Sequence, residues 1–165
     1  MRVKNGASRP AFRTKYAMPQ THLALHYHLV FHTKNNRPLI RSEWSDRLYK
    51  FLGGCLRTAG AVPIAIGGTA DHIHLLIGLR ATHRLADIVK DIKVASSKWV
   101  HVELNEIPFA WQSGYGAFTV GTPQLERVRH YVLDQEKHHQ IRTVQDEYVE
   151  LLKLAGVEFD EKYLW

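Results

Sequence analysis

The chain has 165 residues, 45% of them apolar and 10% aromatic, which is enough to build the core of one ordinary domain. Its 22 Lys and Arg outnumber 16 Asp and Glu, for a net charge of +6, and Cys55 is the only cysteine, which excludes an internal disulfide and any cysteine-based zinc cage. There is no run of about eighteen apolar residues and no apolar segment of signal-peptide type, so neither membrane insertion nor secretion is expected, and a reducing cytoplasm is the expected location.

The positive charge is unevenly spread. Residues 1–42 carry Arg2, Lys4, Arg9, Arg13, Lys15, Lys34, Arg37 and Arg41 and no acid, whereas six of the eight charges in residues 143–165 are negative. Residues 1–142 therefore hold 20 basic and 10 acidic side chains, a balance that favours a phosphate-bearing partner.

Residues 1–20 show no hydrophobic period and read as a flexible basic arm. From Leu23 to Thr33, Leu23, Leu25, Tyr27, Leu29 and Phe31 alternate with Ala24, His26, His28, Val30 and His32, the period of a strand. Turn residues follow at Asn35-Asn36-Arg37-Pro38, and Ser42 is placed to cap a helix carrying Trp44, Leu48, Phe51, Leu52 and Leu56 until Gly60 stops it. Val62–Gly68 and His72–Leu79 read as strands of one hairpin around a turn at 67–70. Leu85, Ile88, Ile92, Ala95, Trp99 and Val102 mark a long amphipathic helix whose other side shows Lys90, Lys93, Ser97 and His101. An aromatic, glycine-broken loop at 108–116 leads to a short strand, Ala117–Val120. Thr122 and Pro123 are then placed as N-cap and first residue of a helix with Leu125, Val128 and Val132 toward a core. A last helix near Gln145–Ala155 has acidic residues on its outer side.

This order, strand-helix-strand-strand-helix-strand, predicts an α+β fold of ferredoxin-like (RRM-like) type, an antiparallel sheet with helices on one face. Alternation along the third strand sends Ile73, Leu75 and Ile77 under those helices and His72 with His74 to the opposite, open face. On the helix after Pro123, Tyr131 and Gln135 stand four residues apart and share a face that can lie against the histidine pair.

Two imidazoles and an amide oxygen suit one divalent cation with coordination sites left for water and a phosphate, and Mg2+ or Mn2+ is the expected occupant. A bound cation polarises a phosphodiester. The Tyr131 phenol, with an ordinary pKa near 10, needs the ion, a base or the nearby Arg127 or Arg129 to attack phosphorus, and the product would be a 5′-phosphotyrosine. Such a link conserves bond energy, so a strand cut in one place can be rejoined to another. His138 and His139 compete with Gln135 for the third ligand position, His139 also standing four residues from Gln135. His28 or His26 is a further candidate to face the site. Trp111 and Tyr115 are candidates to stack on unpaired bases, although aromatic residues beside glycines also serve as packing anchors.

At these residues the chain resembles the single-tyrosine HUH transposases, which comprise small insertion-sequence transposases and their REP-associated relatives. His72-Ile73-His74 fits the His-hydrophobe-His motif, Tyr131 the nucleophile, and Gln135 the glutamine one turn later. Segments 30–37 and 111–118 also look like family segments. The resemblance implies a catalytic domain, read here over 21–142; the basic arm and the acidic helical extension over 143–165 fall outside the motif core, and no role transfers to them. It implies a homodimer in which the tyrosine helix of one subunit can complete the other's metal site. It further implies cleavage and rejoining of single-stranded DNA beside hairpin or palindromic ends. Lys34, Arg37, Lys90, Lys93, Trp111, Tyr115 and Arg127 are then the candidate DNA contacts. Two rival readings stand beside it: a non-catalytic RRM-like nucleic-acid-binding module, and a replication-initiator or relaxase-like nickase. The nickases often use a second tyrosine, and here Tyr115, Tyr148 and Tyr163 lie too far along the chain to share a helical face with Tyr131.

Overall fold

The computed structural model describes residues 22–135, 143–160 and 164. The basic arm at 1–20 and the alternative ligands His138 and His139 lie outside the described residues. Strand β1 (Leu25–His32) is followed by a 3-10 turn at Lys34–Asn36, helix α1 (Ser45–Thr58), strands β2 (Val62–Gly68) and β3 (His72–Leu79), helix α2 (Leu85–Leu104), strand β4 (Gly116–Val120), and helices α3 (Leu125–Leu133) and α4 (Val144–Leu154). The four strands form one antiparallel sheet in the order β2-β3-β1-β4, the ferredoxin-like arrangement the sequence pattern predicts. No helix among the described residues is long and apolar enough to cross a membrane.

The main core lies on one sheet face. Leu29, Phe31, Ile73, Leu75 and Ile77 meet Leu48, Leu52 and Leu56 of α1 and Ile88, Val89, Ile92 and Val100 of α2. The inward stripe of α2 thus runs through Val100 to Leu104. Val102, expected inside, is 69% exposed, and the small Ser96 is fully buried, where its hydroxyl donates to the Ile92 carbonyl and accepts from Trp111 Nε1. Two capping expectations also shift. Ser42 precedes rather than caps α1, whose first turn follows Trp44, and Gly121 rather than Thr122 precedes a 3-10 turn at Thr122–Gln124 that feeds α3. Gly60, at φ +80°, ends α1 as expected.

The opposite face is not left open. His72 to Ile77 are buried without interruption, because α3 and α4 cover the side to which His72, His74 and Leu76 point. A smaller cluster of Ala65, Leu76, Val120 and Val132 seats α3 there, with Ile64, Leu125, Val128 and Tyr131 around it. Pairing across the sheet sets Gly67 of β2, His74 of β3, Val30 of β1 and Gly116 of β4 in one row. Residues directly opposite in antiparallel strands project to the same side, so this row lies on the covered face. A Cβ on Gly67 would overlap the Val132 carbonyl oxygen, and one on Gly116 would stand 2.8 Å from the Tyr148 ring. A β-bulge between Pro63 and Ala65 precedes Gly67 in β2.

Gly67→Ala should therefore lift α3 from the sheet and destabilise the fold by about 1–3 kcal/mol, the usual cost of overpacking. Gly54→Ala, with nothing within 4 Å of the new methyl and a helical backbone around it, should be neutral or stabilising. Urea denaturation of the two variants beside wild type measures the contrast, and equal stabilities would refute the close approach at Gly67.

Candidate active site

The hairpin between β2 and β3 builds one half of the site. Thr69 and Asp71, in the turn, both reach back to the first residue of β3. His72 Nδ1 lies 2.7 Å from Asp71 Oδ1 and 2.9 Å from Thr69 Oγ1, and the Thr69 hydroxyl also donates to Asp71 Oδ1 at 2.9 Å. A carboxylate holding Nδ1–H fixes the imidazole tautomer and leaves Nε2 for coordination. Burial alone would push the Asp71 carboxyl up, but the hydrogen bond and charge of His72, helped by Thr69 and His32, outweigh it and hold the carboxyl below its ordinary value.

Strand β1 supplies a second layer. His28 Nε2 lies 2.8 Å from His74 Nδ1, and the two rings stack with centroids 5.0 Å apart. His32 pairs with His72 across the ladder, its ring 5.6 Å away. Burial lowers His28 to about 4; burial, together with the neighbouring His72 and Lys93, lowers His32 to about 4 despite the opposing charge of Asp71. Both rings are therefore neutral near pH 7.

Helix α3 brings Tyr131 to the same place, in the same chain. Its ring stands edge-on to His74 and His28, at 5.7 and 5.8 Å between centroids. Gln135, 1% exposed, donates from Nε2 to the Tyr131 carbonyl at 3.0 Å. The Tyr131 hydroxyl donates to Glu147 Oε1, which also receives Gln135 Nε2 at 3.5 Å. Of the arginines expected to assist Tyr131, Arg127 is exposed one helical turn before it, and Arg129 reaches Glu126 of its own helix at 3.7 Å.

Glu147 and Tyr148 are what the sequence reading missed. Both sit on the helix read as acidic outside, yet Glu147 is only 8% exposed. Val30, His32, His72, His74, Val144, Glu147, Tyr148 and Leu151 line one narrow, closely packed recess. Tyr148 cannot share a face with Tyr131, but α4 folds it against His32, ring centroids 5.4 Å apart. Burial raises the Glu147 carboxyl to about 7, with Glu150 adding to the rise and His72 opposing it. A single apolar-in, acidic-out helical stripe gives no sign of this, because the burial comes from the sheet α4 lands on.

Of the expected DNA contacts, Lys34, Arg37, Lys90 and Arg127 are exposed and Tyr115 is 37% exposed. Lys93 and Trp111 are occupied otherwise. The Lys93 ammonium donates to the carbonyls of Gln112 and Gly114 at 2.6 and 2.7 Å above the Phe31 ring, and Trp111 packs edge-on against Phe31 and Phe109. They tie the 108–116 loop to α2.

A four-stranded ferredoxin-like sheet with a His-x-His strand and a tyrosine helix on the face away from α1 and α2 defines a tyrosine transposase of the HUH class. Residues 21–135 match the family model described as Transposase IS200 like, and the chain belongs to that family. The ISDra2 transposase TnpA of Deinococcus radiodurans is 26% identical over 117 residues, which span 67% of this chain and 84% of that protein. Two solved structures share the fold. One, a crystal structure of a Deinococcus radiodurans R1 protein assigned as a transposase, has a TM-score of 0.56 at 23% identity, covering 70% of this chain and 94% of that one. The other, a REP-associated tyrosine transposase bound to a REP hairpin, has a TM-score of 0.55 at 12% identity, covering 90% of this chain and 92% of that one.

The buried rings and the buried carboxyl set opposite pH dependences in the metal-free protein. His28 and His32 stay neutral when folded but take up protons when unfolded between pH 6.5 and about 4, so stability falls as pH drops through that window. For His28 the full loss is on the order of 3 kcal/mol. Glu147, raised from 4.5 to about 7, contributes stability that is present below 4.5 and lost as pH rises through 7. Glu147→Gln should therefore make the loss of stability between pH 7 and 5 steeper than in wild type, as read from urea midpoints in chelator.

Proposed function

We propose that this transposase cuts and rejoins single-stranded DNA through a 5′-phosphotyrosine formed at Tyr131, beside a divalent cation held by His72, His74 and Gln135. The observation that carries this reading is the Tyr131 ring edge-on to His74, 5.7 Å away, on the sheet face that also bears His72. The donor set fits such an ion: two buried imidazoles, one oriented by Asp71 and the other by His28, with a buried carboxylate next to them. When bound, Mg2+ or Mn2+ would polarise the phosphodiester and stabilise charge on the leaving oxygen.

The chain's own groups carry the rest. Tyr131 Oη forms a bond to phosphorus as the bond from phosphorus to the 3′ oxygen breaks, releasing a 3′-hydroxyl. Glu147, which accepts the hydrogen bond of that phenol, is the acceptor for its proton. Attack of a 3′-hydroxyl on the phosphotyrosine reverses these bond changes and joins a new strand. Lys34, Arg37, Lys90 and Arg127 are the exposed cations for the backbone, and Tyr115 is the exposed aromatic for a base.

DNA with hairpin or palindromic ends is the proposed substrate, supported by the charge of residues 1–142 and by the hairpin held by one structural relative. A homodimer acting in the cytoplasm on the nucleoid belongs to the same proposal. Because Tyr131 stands against the histidines of its own chain, each subunit would complete its own centre. A second reading, a nickase with two tyrosines, draws on Tyr148 lining the pocket that holds His72 and His74.

Incubation of the protein with labelled single-stranded hairpin DNA and Mn2+, followed by a denaturing gel, tests both readings. A shifted band that survives denaturant should form in wild type, require metal, and vanish in Tyr131→Phe and His72→Ala. Loss of the band in Tyr148→Phe as well would favour the two-tyrosine reading. DNA binding without any adduct would leave only a binding module.

A further inference from the structure

Thr33 is fully buried where β1 gives way to the 3-10 turn at Lys34–Asn36, and three segments meet on it. Its backbone N–H donates to the Asp71 carbonyl at 2.8 Å, and its hydroxyl reaches that same carbonyl at 3.0 Å and the Arg37 carbonyl as well. Its backbone also pairs with Trp111 in an isolated β-bridge. The Asp71 carbonyl belongs to the peptide unit that joins Asp71 to His72. That unit is planar, so two donors from one residue fix the plane from which the Asp71 carboxylate and the His72 imidazole both hang. The carboxylate in turn stands 2.7 Å from His72 Nδ1.

Satisfying buried acceptors does not by itself require this hydroxyl. The Arg37 carbonyl also receives the Leu39 N–H at 2.8 Å, and the Asp71 carbonyl receives the Thr33 N–H, so each keeps a donor without it. The cationic turn does not depend on it either. The Lys34 N–H donates to the Ala110 carbonyl at 2.8 Å, the Asn36 N–H to the Thr33 carbonyl at 3.0 Å, and the Asn35 N–H to Gln112 Oε1 at 3.1 Å. What the hydroxyl adds is a connection: one side chain ties the backbone at the end of the turn to the peptide unit that opens β3. With the N–H alone, the Asp71–His72 plane is held at a single point and can rock about it.

We propose that Thr33 is a positioning residue for His72, its hydroxyl fixing the Asp71–His72 peptide plane so that Asp71 meets Nδ1 and Nε2 is turned the other way. The inference rests on the reading that His72 holds a metal beside Tyr131. Ligating imidazoles depend on such outer partners for the orientation of the ring. Two tasks then separate. Loss of the hydroxyl leaves the grip on DNA, which belongs to the exposed Lys34 and Arg37 on a turn held by its own hydrogen bonds, and slows the chemistry that needs His72 aimed.

The test compares full-length wild type with Thr33→Val, Thr33→Ala, Thr33→Ser and Ile88→Val, the last a core change on the other side of the sheet that lowers stability without touching the site. Proton exchange at His72 Nδ1–H is followed by NMR in metal-free protein labelled with 15N-histidine, the signal being assigned by its loss in His72→Gln. Fluorescence anisotropy reads affinity for single-stranded hairpin DNA, and a denaturing gel reads the rate of covalent adduct formation at saturating DNA and Mn2+. Expected is a slowly exchanging Nδ1–H in wild type that exchanges about tenfold faster in Thr33→Val, with an adduct rate about tenfold lower and an unchanged DNA affinity. Thr33→Ala, which also lacks the hydroxyl but needs less space, should behave as Thr33→Val. Thr33→Ser, which keeps the hydroxyl, and Ile88→Val should stay near wild type in all three readouts. Wild-type exchange and adduct rates in the variants without the hydroxyl, the same losses in Thr33→Ser or Ile88→Val, or a wild type with no protected Nδ1–H overturn the inference. A wild type that forms no adduct overturns the catalytic reading instead, and exchange at His72 then decides the role of Thr33 alone.

Discussion

Two positions without a side chain allow this centre to exist. Gly67 and Gly116 occupy the ends of the cross-strand row whose middle is His74 and Val30. At one end the backbone of α3 comes down onto β2 until the Val132 carbonyl occupies the space a Cβ would need; at the other the Tyr148 ring of α4 rests on β4. Both helices reach the sheet this closely only because nothing projects from it there. Close packing of backbone on backbone fixes Tyr131 and Glu147 to within the tolerance that shared hydrogen bonds demand.

The electrostatics of the face follow from that enclosure. Burial keeps His28 and His32 neutral and drives the Glu147 carboxyl toward neutrality, while the half-exposed Asp71 remains anionic beside His72. Asp71 on His72 and His28 on His74 then orient each ring from behind. This face of the sheet is thus built in two layers, the rings of His72 and His74 and the partners that hold them.

What the sequence disclosed was periodic. Alternation in β3 separates His72 and His74 from Ile73 and Leu75 whatever lies around them, and helical spacing aligns Tyr131 with Gln135 before any tertiary contact is known. The sheet order and the strands Val62–Gly68 and His72–Leu79 were legible for the same reason. Where the answer depended on what packs against an element, the pattern misled. Val100 and Val102 are chemically alike, and only the angle of α2 over the sheet decides that one is buried and the other not. Glu147 reads as one more surface acid until α4 is known to turn back on the sheet, and the same turn brings Tyr148 to His32 across a sequence gap no helix could span. Trp111 and Lys93 read as candidate nucleic-acid contacts in a sequence that does not show the carbonyls and rings they also engage in this fold.

The bulge in β2 acts as a phase shifter. Pro63 opposes Ile77, but Ala65 opposes Leu76, so one residue is absorbed between them and every later residue of the strand exchanges sides. Had regular pairing continued from Pro63, Ile66 would stand opposite His74 and Gly67 opposite Ile73. A branched side chain would then block the path of α3, and the glycine would leave a gap in the core against α1. One looped-out residue at the far end of the strand thereby determines that α3 has a place to land.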